Sequence, residues 1–296
     1  MQRTIAQPAM CAGIGVHTGA HVRLAISPAP ADTGIVFVRG DLTGDNRIEA
    51  IAAHVASTHL GTTLRNPAGA EIATVEHFLA ACVGLEIDNL IVEIDGPELP
   101  ILDGSAAPFV RLLDSAGERT LNAPRRVIRI VEPIEVFNGA KRAALLPDCE
   151  AEGLALDVTI RFGDDAIGVQ RKRTQLSRKT FLSDIADART FGFLADVDQL
   201  RAAGRGLGAS LANAVVLDQG RVLNPEGLRF EDEFVRHKML DAIGDLALAG
   251  GVIAGRYEAD QPGHALNAQL IRALAAAPHA WRWESLAAPD LQAAVG

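Results

Sequence analysis

Two apolar spacings take turns along this chain, and they divide it into strands and helices. In HVRLAIS, residues 21–27, Val22, Leu24 and Ile26 recur at every second position, and IVFVRG at 35–40 follows a Pro and Gly stretch, so both are read as strands. Just before them GIGVHTG, 13–19, sets three glycines in seven residues around His17. That composition suits either a tight hairpin turn or a loop that approaches a ligand closely; the strand that follows favours the turn, because a phosphate loop opens a helix. From Thr74 the spacing becomes helical: TVEHFLAACVGL puts Val75, Phe78, Leu79 and Cys82 on one side, with Thr74 as the expected N-cap. NLIVEI then reads as a buried strand, and DGPELPILDGSAAPFVRLLDSAG as a Pro/Gly loop with a second helix starting near Ser105.

GERTLNAPRR, 117–126, is polar and contains proline, as a linker does, which places two domains at 1–121 and 126–296. The second half opens on strands: RVIRIVEPIEVF, an Asn138-Gly139 hairpin signal, KRAALLP and LALDVTIRF. A short helix around 178–187 and the Gly-rich passage GRGLGAS follow. A long helix, the strand GVIAGRYEA and the helix GHALNAQLIRALAAA then complete it. The order helix, strand, loop, helix occurs once in each half. The chain therefore predicts an α+β fold of two similar domains whose helices can pack face to face.

The long helix of the second half, within LRFEDEFVRHKMLDAIGD at 228–245, carries the most suggestive chemistry. His237, Asp241 and Asp245 follow one another at intervals of four, with Lys238 beside them, so at roughly 100° per residue they share one polar arc. Val235, Met239, Leu240, Ile243, Leu246 and Ala247 form the opposing apolar stripe, which Arg236 interrupts. Such an arc is either a solvated face or half of a metal site. A catalytic zinc needs three protein ligands and an open position, so a third ligand must come from elsewhere. If the equivalent helices of the two halves meet, His77 can supply it and Glu76 faces the same cleft.

The composition, 48% hydrophobic and 22% charged, is that of an ordinary globular protein. No apolar run reaches the roughly 18 residues of a membrane span, and the first residues, MQRTIAQPAMCAGIG, lack a signal-peptide core. The net charge of −9 argues against a nucleic-acid partner. Cys11, Cys82 and Cys149 are widely spaced and are read as idle thiols in a reducing cytoplasm.

Five separated motifs, TVEH at 74–77, PELPILDGSAAPFV at 97–110, ARTFGF at 188–193, LRFEDEFVRHKMLDAIGDL at 228–246 and GHALN at 263–267, together with GIGVHTG, resemble the UDP-3-O-acyl-N-acetylglucosamine deacetylases, zinc enzymes of the committed step of lipid A synthesis. The resemblance implies a sheet with paired helices in each domain, the helices sandwiched between the sheets, and one small insert per domain. It implies zinc held by His77, His237 and Asp241, with Fe²⁺ as the alternative in the cell. By the same likeness Glu76 is the general base and His264, paired with Asp245, the general acid. Lys238 and Thr190 compensate the oxyanion. Phe162, Phe193, Asp196 and Lys238 contact the acylated UDP-sugar, with an acyl passage around 207–210. A cytoplasmic monomer that is not inserted into the membrane is expected. Two rivals stand beside this reading: a sugar-nucleotide binding protein that lost catalysis, and a zinc hydrolase acting on another amide.

Overall fold

The computed structural model describes residues 1–148 and 153–285; Cys149 and the residues beyond 285 lie outside that range. The described residues form six α-helices, α1 (Glu76–Gly84), α2 (Ala107–Ser115), α3 (Arg178–Asp184), α4 (Val197–Ala202), α5 (Glu233–Leu246) and α6 (His264–Ala276), set among several β-sheets. The fold is α+β.

In the first half a five-stranded sheet has the order Ala9–Ile14, His21–Pro28, Leu90–Ile94, Ile35–Arg39, Arg47–Glu49. The period-two pattern has the outcome it predicts: Val22, Leu24 and Ile26 are buried while His21 and Arg23 are exposed. Gly13 and Ile14 end the first of these strands and residues 15–20 make the turn to the second, so a strand and not a helix follows the glycines. The apolar stripe of α1 closes over the sheet, where Phe78 meets Phe37 edge-on at 6.1 Å and Phe109 of α2 at 5.4 Å.

In the second half Val252–Asp260 is the central strand of a seven-stranded sheet. It runs antiparallel to Lys141–Leu146 and parallel to Arg126–Ile130 and Leu154–Arg161. The hairpin expected at Asn138-Gly139 joins Ile134–Asn138 to Lys141–Leu146, and Gly139 there has φ 60°. Helix α6 packs on this hairpin, α5 on Leu154–Arg161, and α1 on α5, so the helices form a layer between the two large sheets. Two small three-stranded sheets, Val55–Ser57 with Thr63–Arg65 and Glu71–Ile72, and Phe191–Phe193 with Val215–Asp218 and Arg221–Val222, sit outside this frame. Their strands are too short for an alternation to be read from sequence.

Several local expectations are corrected. The N-cap of α1 is Val75 and not Thr74; Thr74 sits at φ 61° and its hydroxyl donates to the buried carboxylate of Glu98 at 3.2 Å. Helix α2 starts at Ala107, and the Ser105 hydroxyl accepts the Ala107 N–H. Helix α3 stops at Asp184, three residues short of the expected end, after a start fixed by a Ser177/Thr180 capping box. The stretch 117–126 contains a strand, Glu118–Thr120, paired antiparallel with Arg3–Ile5; its residues are exposed, which explains why they look like a linker. Arg236 does not break the apolar stripe, because its guanidinium stacks 4.2 Å from the Phe230 ring and pairs with Asp232 and Asp184 at the helix edge.

Glycines set how closely the helices approach one another. A Cβ on Gly244 of α5 would lie 2.0 Å from the carbonyl oxygen of Glu76, and one on Gly84 would lie 2.1 Å from the Phe181 ring of α3. Both positions admit hydrogen only, and the first brings the α1 backbone directly onto α5 at the start of the site.

Candidate active site

Helices α1 and α5 bring His77, His237 and Asp241 together, so that one ligand atom of each lies within 4.8 Å of the others. The arc predicted on α5 is polar but not solvated: His237, Asp241 and Asp245 are each 2% exposed, and Glu76 and His77 of α1 are 3% and 4% exposed. The solvated-face alternative fails here because the opposite helix covers the arc.

Asp241 Oδ1 lies 3.2 Å from His237 Nε2 and 3.5 Å from His77 Nε2. The two imidazoles meet edge-on, with centroids 5.0 Å apart. The Nδ1–H of His237 donates to the Ala188 carbonyl at 3.0 Å, which leaves its Nε2 lone pair directed to the aspartate. Burial pushes the His237 pKa down to about 3, so the ring is neutral. Burial opposes the charge on Asp241, but the Lys238 ammonium beside it draws its carboxyl well below the usual range. A neutral nitrogen and a charged oxygen thus face each other, and among the described residues Asp241 Oδ1 has no hydrogen-bond partner. A buried carboxylate oxygen without a donor is costly, and a divalent cation between these three groups removes the cost. Two His and one Asp fit zinc or another borderline divalent ion.

Around the triad stand the other charged groups. Lys238 Nζ donates to Asp241 Oδ2 at 2.7 Å; burial lowers the lysine pKa, but the aspartate charge overrides it and holds it raised. Glu76 Oε2 accepts the Thr62 N–H at 3.0 Å, and burial raises its pKa, opposed by His264 and His77. His264 opens α6 with its Nε2 3.9 Å from Glu76 Oε1. Its Nδ1 lies 2.9 Å from Asp245 Oδ2. Burial alone would depress His264, but Asp245, then Glu76 and Asp241, reverse this and raise it to about 10.

Three residues with no assigned role complete the set around Asp245. The Thr62 hydroxyl donates to Oδ1 at 2.6 Å, the Asn267 side-chain amide donates to Oδ2 at 2.8 Å, and the Tyr257 hydroxyl donates to Asn267 Oδ1 at 2.6 Å. Asn267 belongs to GHALN, so its motif carried a signal; Thr62 and Tyr257 stand in ordinary strand and turn contexts and carried none.

The expected substrate contacts are less concentrated. The Phe162 ring lies 5.6 Å from Phe191 and 6.2 Å from Phe193, at the small sheet of the second half. Phe191, which had no assigned role, touches the site directly: its ring lies 6.2 Å from His237 and 5.5 Å from Lys238 Nζ. Asp196 is exposed at the start of α4, and no contact joins it to the triad. Thr190 is held by its backbone, its N–H on the Gly104 carbonyl and its own carbonyl accepting from Val215. The glycine turn meets the Gly-rich segment directly, where the Leu207 and Gly208 N–H groups donate to the carbonyls of His17 and Val16.

The family model described as UDP-3-O-acyl N-acetylglycosamine deacetylase (LpxC) matches residues 2–276. A protein named UDP-3-O-acyl-N-acetylglucosamine deacetylase from Phenylobacterium zucineum is 55% identical over 295 residues, covering 99% of both chains. Others of that name, from Shewanella pealeana and Shewanella oneidensis, are 48% identical over 282 residues, 95% of this chain and 91% of theirs. A match of this extent, on a chain whose α1 and α5 converge two histidines and an aspartate, places the protein in the LpxC family of UDP-3-O-acyl-N-acetylglucosamine deacetylases.

Proposed function

We infer that the protein hydrolyses the N-acetyl group of UDP-3-O-[(3R)-3-hydroxyacyl]-N-acetylglucosamine to the free amine and acetate, the committed step of lipid A biosynthesis. The observation that carries this reading is the placement of Glu76 and His264 at 3.9 Å from each other beside the His77, His237 and Asp241 cluster. Those three residues would hold the metal, Zn²⁺ in the first instance and Fe²⁺ as an alternative. A bound Zn²⁺ lowers the pKa of its water to about 7 and polarises a carbonyl.

The residues do the rest. Glu76, whose burial makes it a stronger base than an exposed glutamate, takes the proton of the attacking water as its oxygen bonds to the acetyl carbon. Negative charge then gathers on the former carbonyl oxygen, where the Lys238 ammonium and the Thr190 hydroxyl are the compensating groups. The amine is a poor leaving group until protonated. His264 has Nδ1 engaged by Asp245, so Nε2 is the nitrogen that delivers a proton to the departing nitrogen as the C–N bond breaks. Phe162, Phe193 and Asp196 are the proposed contacts to the sugar nucleotide, with the acyl chain passing 207–210. The two domains are taken as 1–121 and 126–296. A cytoplasmic monomer is the working assembly; no helix of the described residues is long and apolar enough to cross a membrane.

The test is acetate release from the acylated UDP-sugar by purified protein, before and after chelation and with Zn²⁺ restored. Activity lost to the chelator and recovered with about one ion per chain is the expected result. Folded, metal-loaded protein that releases no acetate from this substrate would end the assignment in favour of a binding role or another amide.

A further inference from the structure

One peptide group, between Ala188 and Arg189, is gripped from both ends by α5. Its carbonyl accepts the Nδ1–H of His237 at 3.0 Å. Its N–H donates to Glu233 Oε1 at 3.0 Å. Glu233 and His237 are four residues apart on the same helix, so their side chains lie one above the other on a single face. Because a peptide is planar, with its C=O and N–H fixed relative to each other, an anchor on the N–H also fixes the direction of the carbonyl.

The anchor is strong. Glu233 is fully buried, and besides the Arg189 N–H it accepts the Arg189 guanidinium, Nε on Oε1 at 2.9 Å and Nη2 on Oε2 at 3.2 Å. It also accepts the Arg229 N–H at 2.7 Å. Arg189, 2% exposed, is held in turn by the Gly227 carbonyl at 2.7 Å and Glu226 at 2.6 Å. A buried carboxylate with every donor supplied has one low-energy position. None of these groups touches the triad except through the Ala188 carbonyl.

We propose that Glu233 is a positioning residue for the metal site. Held by the Arg189 pair, it orients the Ala188–Arg189 peptide so that the carbonyl takes the Nδ1–H of His237, which fixes the tautomer and ring angle that present Nε2 as a ligand. The proposal rests on the metal reading above. It predicts that Glu233 acts on metal affinity and not only on folding: outer partners of this kind change affinity by about 10–100-fold when removed.

The experiment is a competition titration of metal-free protein against a chromophoric zinc chelator, for wild type, Glu233→Gln and Glu226→Gln, with unfolding midpoints measured alongside. Glu226, half exposed, contacts the same arginine without touching the peptide N–H. The zinc dissociation constant should rise about 10–100-fold in Glu233→Gln and stay within about twofold in Glu226→Gln. A folded Glu233→Gln protein that binds zinc as wild type does overturns the proposal, even if its midpoint has fallen. Wild type that binds no zinc would instead overturn the metal reading beneath it. If Glu233→Gln does not fold, ¹⁵N-histidine spectra of zinc-loaded wild type decide. His237 must be metal-bound through Nε2 with an Nδ1 proton slow to exchange, and a ring bound through Nδ1 rules the proposal out.

Discussion

Replacing Asp245 with asparagine removes the charge that keeps His264 protonated, while the shape of the side chain is retained. Burial depresses the imidazole, and the Asp245 carboxylate, 2.9 Å from Nδ1, outweighs it and carries His264 from 6.5 to about 10. At roughly 1.4 kcal/mol per tenfold in proton affinity, that difference is on the order of 5 kcal/mol. The sign follows from linkage: a histidine raised in the folded state contributes stability that is fully present below its unfolded pKa of 6.5 and is lost as pH rises towards about 10. In the metal-free protein, an NMR titration of His264 should therefore place its midpoint near 10 in wild type and markedly lower in Asp245→Asn. The loss of wild-type stability as pH rises towards about 10 should shrink with it. A bound dication draws His264 down, so in the loaded enzyme the expectation is a direction: the alkaline limb of kcat/KM, set by loss of the acid, moves to lower pH. In the loaded variant the rate should accordingly fall most steeply on the alkaline side, where the acid is lost first. An NMR midpoint or an alkaline limb that does not move would refute the assignment of His264 as the acid held by Asp245.

Glu76→Gln should keep its full complement of metal while turnover falls by about 10²–10⁴; a wild-type rate would remove Glu76 as the base. Gly244→Ala puts a methyl where the Glu76 carbonyl oxygen lies 2.0 Å from the Cβ position. It should cost about 1–3 kcal/mol by overpacking and reduce kcat by displacing α1, and an unchanged melting midpoint would contradict the close contact. Thr62→Val deletes the donor 2.6 Å from Asp245 Oδ1, so chemical denaturation should show a loss of about 1–3 kcal/mol. Stability equal to wild type would mean that the hydroxyl is not needed to satisfy the carboxylate.

The sequence by itself determined the periods and the reactive residue types. Alternation at Val22, Leu24 and Ile26 and helical spacing in TVEHFL and FVRHKMLDAIGD are local signals, because side-chain direction follows from 2.0 or 3.6 residues per turn. The His237 and Asp241 pair was legible for the same reason. Their meeting with His77 was legible only through the repeat of the two halves and the family resemblance, because residues about 160 positions apart share no periodicity. Only the tertiary structure decided what depends on groups brought in from elsewhere. The polar arc is buried because α1 covers it; Thr74 turns to Glu98 instead of capping; Glu118–Thr120 is a strand because Arg3–Ile5 offers it a partner. Thr62, Tyr257 and the Ala188 carbonyl enter the site through single hydrogen bonds across the chain. A backbone carbonyl has no letter of its own in a sequence, and a hydroxyl becomes significant only beside the buried charge it satisfies.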